Sequence, residues 1–145
     1  MREILFRART ISEDEYMDSG EWVEGFYTCF NGDEHRIYTG YSETDCGDHY
    51  PDWFNVLPET VEQFTGLTDK KGKRIFEGDI VDVEYDIQYV GVAAERIGLF
   101  VVVFDDGCFM KQKKNGGLFH FIQSDKCEVV GNIHDNPELM MEAET

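Results

Sequence analysis

Short runs of β-branched and aromatic residues alternate with glycine-containing turns along most of this chain, and that punctuation constrains the fold more than any other feature. "EILFRA" near the start, "WVEGFYTCF" at residues 22–30 and "HRIYTGY" at 35–41 each have strand composition. Gly25 interrupts the second run, as a bulge or a close backbone approach requires. After Pro58, "ETVEQFTGL" reads as a strand. Val81, Val83 and Tyr85 alternate with Asp82 and Glu84, the pattern of a half-buried strand. "GLFVVVFDDGCFMKQ" reads as strand, turn, strand, with Asp106-Gly107 as the tight hairpin signal. "KKNGGLFHFI" offers a turn at 115–117 and a strand at 118–122, and "CEVVGNI" is the next strand. In "DNPELM", Asn136 stands as N-cap and Pro137 as the first residue of a short helical turn. The polar stretch "SETDCGDHYPD" at 42–52 reads as a loop. The acidic stretch "ISEDEYMD" at 11–18 fits a helical turn or a loop equally. The pattern predicts a mainly β fold, a small barrel or roll.

The stretch "FTGLTDKKGKRIFEGDIVDVEY", residues 64–85, is the most basic part of an acidic chain, and its glycines sit close to lysines. A phosphate-binding loop needs four residues between its glycines, then Lys and a hydroxyl residue. Here Gly66 and Gly72 enclose five, and Arg74 stands where the hydroxyl belongs. Asp69 followed by Lys70, Lys71 and Gly72 instead fits a turn, with the carboxylate accepting backbone N–H bonds and Gly72 taking a positive φ. Gly78 marks a second turn. The stretch is read as two turns between strands, and nucleotide binding is set aside.

The chain has 145 residues, enough to bury a real core, and a formal net charge of −17. Residues 1–69 hold 16 acidic and 4 basic side chains, so the first half is the more acidic. That average field repels duplex nucleic acid and anionic membranes. No apolar run is long enough to span a bilayer, and "MREILFRAR" lacks the apolar core of a signal peptide, so a cytoplasmic location is expected. Cys29, Cys46, Cys108 and Cys127 are then expected to be reduced.

Candidate chemistry is sparse. Cys46 and His49 have a Cys-x-x-His spacing among Asp45, Asp48 and Asp52, but zinc needs a second pair, and Cys127 with His134 is irregularly spaced. A solvated acidic loop is the preferred reading. Cys108 and His120 lie on neighbouring strands, where a buried apolar cysteine is the commoner outcome. No Gly-x-Ser-x-Gly elbow is present. No catalytic, cofactor-binding or metal-binding residue is assigned.

"ETVEQFTGLTDKKGKRIFEGDIV", followed at a distance by "EVVGNIHDNPEL", resembles the YopX family of phage and prophage proteins. "REILFRA" is similar to that family's opening, although Arg9 stands where the family often has an aromatic residue. The resemblance implies an SH3-like β-barrel over residues 63–145 with a short C-terminal tail, preceded by a smaller β-rich part with variable acidic loops over 1–62. It also implies a phage-related protein in a bacterial cytoplasm, and it brings no catalytic residues with it.

The expected function is therefore a non-enzymatic accessory protein that assembles with itself or binds a host or phage protein. The aromatic residues Trp22, Phe26, Tyr27 and Phe30 are the candidates for a homo-oligomer contact. An acidic DNA mimic that blocks a host DNA-binding protein is the alternative. The poor ligand spacing predicts a metal-free protein with four free thiols. Elemental analysis with thiol titration under denaturing conditions checks this, and one tightly held zinc per chain contradicts it.

Overall fold

The computed structural model describes residues 3–11, 20–84, 97–114, 116–120 and 126–141. The 11–18 stretch beyond Ile11, Tyr85, Asn115, Phe121 and Ile122 thus lie outside the described residues. The architecture is mainly β, built as antiparallel sheets, and the chain divides into two compact units, Met1–Phe64 and Thr65–Thr145.

In the first unit, β1 (Phe6–Arg9), β2 (Trp22–Phe30), β3 (Glu34–Glu43) and β4 (His49–Asn55) form a meander in the order β4-β3-β2-β1. A 3-10 turn at Pro58–Thr60 leads into β5 (Glu62–Thr68), whose first residues return beside β1, with Glu62 opposite Arg7 and Gln63 opposite Phe6. The strand read from Glu59 onward thus begins three residues later, at Glu62, because proline starts a helical turn there. β4 occupies part of the stretch read as a loop. Its Pro51 is tolerated because β4 is the sheet edge, where a missing N–H costs no ladder bond. The β2–β3 hairpin turns on Asn31 and Gly32, at φ 54° and 77°.

Ala8, Ile37 and Val56 are the buried centre of this unit, with Phe6, Val23, Tyr27 and Phe54 packed on them. Gly25 is required by close approach, since a Cβ there would stand 2.0 Å from the Tyr38 carbonyl oxygen. On the other side of β1, buried Arg7 donates to Glu62 Oε1 from Nε at 3.1 Å and from Nη2 at 3.0 Å. A charge this deep persists only when paired.

In the second unit, β6 (Arg74–Phe76) lies beside β5, and Thr65 Oγ1 donates to Ile75 O at 2.7 Å. The strands β7 (Asp79–Val83), β8 (Gly98–Asp105), β9 (Cys108–Gln112) and β10 (Leu118–His120) form a second meander, and β11 (Cys127–Asn132) returns beside β7. Both units therefore use one plan: a four-stranded meander with a later strand paired to its first. The second sheet has β10 and β11 as its two edges, so the closed barrel expected from the resemblance does not form among the described strands. Closure would need a ladder between those edges, and among the described strands β10 pairs with β9 and β11 with β7. Asp106 and Gly107, at φ 49° and 80°, make the two-residue β8–β9 hairpin with the twist that such loops prefer.

Ile75, Val81, Val83, Phe100, Val102, Cys127 and Val129 form the second core, with Leu67 and Phe119 against it. Phe104 and Ile133, which hydropathy would place inside, are exposed. Lys111 is buried instead, with Nζ 5.3 Å from the Phe100 ring centroid. It stands opposite Val102 on the core side of the sheet, where a cation over an aromatic face recovers part of its lost hydration.

The two motif blocks meet here. Asp69 Oδ1 accepts the N–H groups of Lys71 and Lys73, each at 2.9 Å, and Oδ2 accepts that of Val129 at 2.9 Å. Lys70 N donates to Cys127 O at 3.0 Å, and Ile133 N to Gly78 O at 2.9 Å. Gly72 and Gly78 hold φ of 82° and 85°, as turn glycines must. In the second block, Asn132 Oδ1 accepts from His134 N and Asp135 N, both at 2.9 Å. The Asn136 side chain accepts from Asn132 N at 3.3 Å and makes no cap bond to the 3-10 turn Pro137–Leu139 that follows it.

Burial pushes the Asp69 carboxyl pKa up, but the N–H groups of Val129, Lys73 and Lys71 outweigh it, so the net shift is downward. A depressed carboxylate contributes stability above its unfolded value, near ~3.9, and loses it as pH falls through the folded value. Asp69→Asn keeps one acceptor and replaces the other with a donor facing Val129 N. It is expected to cost about 1–3 kcal/mol at neutral pH in urea unfolding, and to flatten the acid limb of the stability curve. Wild-type stability at both neutral and acidic pH would refute this account.

Gly131 is fixed by another contact, since a Cβ there would stand 2.5 Å from Asn136 Oδ1. Gly131→Ala is expected to destabilise by about 1–3 kcal/mol, and by clearly less when Asn136→Gly is already present. Strictly additive effects in the double-mutant cycle would show that the clash is not the cause.

Candidate functional site

The residues singled out for metal or nucleophilic chemistry do not assemble into a site. Cys46 and His49 are both exposed. The loop between them and β3 is a closed turn, with Gly47 N donating to Thr44 O and Asp48 N to Thr44 Oγ1. Cys127 is in the second core. Among the described residues, no group of three or more His, Cys, Asp or Glu side chains is arranged to hold a metal ion. The exposed Cys108 thiol donates to Asp105 O at 3.4 Å, while His120 stands opposite Met110 rather than Cys108. No helix among the described residues is long and apolar enough to cross a membrane.

The basic stretch is neutralised where it stands. Lys70 is ion-paired with Glu84 and lies 3.8 Å from Glu128, and Lys71 reaches Glu128 at 2.6 Å. The hydrogen bond and charge of Glu84 hold the Lys70 pKa up, and Lys71 holds that of Glu128 down. Its turn amides are also committed, two of them to Asp69. A phosphate would have to displace these carboxylates.

The feature that remains is the open face of the first sheet. Along β2, Val23 and Tyr27 face the core, so Trp22, Phe26 and Phe30 project to the other side. Register then places Phe26 beside Tyr38 of β3, and Tyr38 beside Trp53 of β4. The result is an aromatic row across three strands. Phe26 is 69% exposed, Phe30 46% and Trp53 40%. The three arginines described in this unit all stack on rings of this face. Arg36 Cζ lies 4.0 Å from the Trp53 centroid and 5.8 Å from that of Phe30. Arg7 and Arg9 lie 4.8 and 5.3 Å from that of Trp22. Arg9, the departure from the family pattern, therefore packs on an aromatic ring.

Of the four aromatics named from the sequence, Phe26 and Phe30 are on the exposed part of this face, and Trp22 is half-buried against Arg7 and Arg9. Tyr27 belongs to the core, and its hydroxyl is hydrogen-bonded to His35 Nδ1 at 2.6 Å. Burial, then the neighbouring Cys29 thiol, raises the Tyr27 pKa, keeping the phenol neutral. Tyr38, Tyr41 and Trp53 were missed. Reading 42–52 as a loop hid the fourth strand that brings Trp53 alongside Tyr38.

A groove of about 680 Å³ opens at one end of this face. It forms where β2 passes from pairing with β1, which ends at Gly25, to pairing with β3, which begins at Phe26. The register of β3 shifts between Tyr38 and Gly40, both of which line it. Phe26, Tyr38, Tyr41 and Pro51 line it together with Glu3 and Glu24. Tyr41 is 79% exposed.

A family model described as "YopX protein" matches residues 6–141. Among solved structures, the chain is similar to the crystal structure of protein EF1440 from Enterococcus faecalis, at 27% identity and a TM-score of 0.62. That match covers 97% of this chain and 99% of the other. No curated protein matches the chain.

Proposed function

The chain belongs to the YopX protein family, and from that premise we propose that it is a non-enzymatic, phage-related accessory protein of the bacterial cytoplasm that works by binding protein, itself included. One observation carries this reading: the aromatic row of Phe26, Tyr38 and Trp53 left open on the first sheet, with Arg36 stacked on Trp53. Contiguous exposed aromatics of this kind are unusual on a monomer that meets nothing. Aromatic residues and arginine are also the residue types that dominate the energetic centre of protein interfaces. The second unit is read as SH3-like in strand arrangement, on the strength of the family resemblance and its five short antiparallel strands.

A net charge of −17 favours a second reading, in which carboxylates imitate DNA phosphates and occupy a host DNA-binding protein. Displacement of a captured host protein by duplex DNA would favour it.

Like charges oppose self-association, and salt relieves that repulsion. Light scattering is expected to show an oligomer that strengthens as salt rises, and a Phe26→Ala, Trp53→Ala double variant that stays monomeric. A strict monomer at low and high salt, at concentrations suited to crystallisation, would reject self-assembly.

A further inference from the structure

We infer that Cys29 is a nucleophilic thiol, served by Tyr27 and His35, that exchanges with small disulfides to carry a reversible mixed disulfide. The site is independent of the protein-binding reading. Register places Cys29 directly opposite His35 across β2 and β3. His35 O accepts from Val56 N at 3.0 Å, so the His35 backbone bonds on its β4 side and makes no ladder bond to Cys29. Antiparallel pairs of that kind bring their side chains closest, on one face of the sheet. Tyr27, two positions before Cys29 on β2, points to the same face. Its ring lies within 7° of parallel to the imidazole, with centroids 6.0 Å apart, and its hydroxyl meets His35 Nδ1 at 2.6 Å. Thiol, phenol and imidazole therefore stand together. Cys29 is exposed, while Tyr27 and His35 are half-buried behind it.

Burial first, then the charge of Cys29 and a side-chain hydrogen bond with it, keep the Tyr27 phenol protonated. A neutral phenol can pass a proton on. Cys29 S–H gives its proton to the Tyr27 oxygen as Tyr27 O–H gives its own to His35 Nδ1, leaving a thiolate and an imidazolium. The thiolate attacks one sulfur of the disulfide. A new S–S bond forms to Cys29 as the old one breaks, and the departing thiolate takes its proton from the imidazolium. The products are a mixed disulfide on Cys29 and one free small thiol, with the disulfide as the only oxidant. Such exchange asks for an accessible sulfur, a proton acceptor and a line of approach, and needs no oxyanion site or cofactor. The other exposed thiols are placed less well. Cys108 gives its S–H to the Asp105 carbonyl, which cannot take the proton. Cys46 lies in a turn whose sequence neighbours Asp45 and Asp48 repel a thiolate.

The test exposes the full, reduced chain briefly to limiting cystamine at neutral pH, quenches in acid and maps each cysteine by mass spectrometry. Cystamine is cationic, so the acidic chain does not repel it. Cys29 is expected to be modified at least ~10-fold faster than Cys46 or Cys108, which are also exposed. Tyr27→Phe and His35→Gln are each expected to slow Cys29 at least ~3-fold while leaving the rates at Cys46 and Cys108 unchanged. Circular dichroism checks that each variant keeps its fold. The ranking of the three exposed thiols in the wild-type chain needs no variant, so it decides even where a variant does not fold. Cys29 reacting no faster than Cys46 and Cys108 would overturn the inference. So would a wild-type rate at Cys29 in a folded His35→Gln or Tyr27→Phe chain.

Discussion

The Asp69 carboxylate is the constraint on which most of the second unit depends. One oxygen closes its own turn by accepting from Lys71 and Lys73, and the other reaches Val129, sixty positions along the chain. A single side chain thus sets a local turn and ties it to a distant strand. Asparagine has one acceptor oxygen and cannot meet three such donors from both sides. The carboxylate is buried, and it stays charged because three fixed backbone N–H dipoles, with the Lys73 charge after them, outweigh the cost of burial. The Ile133 to Gly78 and Lys70 to Cys127 backbone bonds complete the same clasp. The long motif of this family is therefore accounted for by architecture: its Asp and Gly residues are the fasteners between two stretches of sheet.

Charge is distributed so that the acidic surface remains available. The lysines of the Asp69 turn are paired locally with Glu84 and Glu128, and the arginines of the first unit are stacked on Trp22, Phe30 and Trp53. A stacked arginine also stiffens the ring beneath it, lowering the ordering cost when a partner covers the face. An exposed aromatic surface thus coexists with a net charge of −17, which opposes association of like copies at low salt.

Much of the strand plan was legible because alternation and turn chemistry are local. Asp106-Gly107 was readable as a hairpin since both positions need positive φ and few residues supply it. Ile75, Val81, Val83, Phe100, Val102 and Val129 were readable as core because β periodicity sends them to one face. Composition and burial part company at several positions. Phe104 and Ile133 are apolar yet exposed, Lys111 is charged yet buried, and β4 sits in a stretch whose composition is that of a loop. In each case the outcome depends on where the residue falls in the assembled sheet, and composition does not encode that.

What the sequence by itself determined is the class: mainly β, turn by turn, with Asp69, Gly72 and Gly78 at their turns and a family pattern long enough to be specific. Backbone sterics and side-chain hydrogen bonding act within a few residues, so one strand of text suffices to read them. Which faces meet is settled only once the strands are paired. That Val129 N ends on Asp69, that Gly25 must lack a Cβ because of Tyr38, and that Phe26, Tyr38 and Trp53 form one open row all depend on register between strands. Register is a relation between distant segments, and a shift of one residue would turn every one of those side chains to the opposite face.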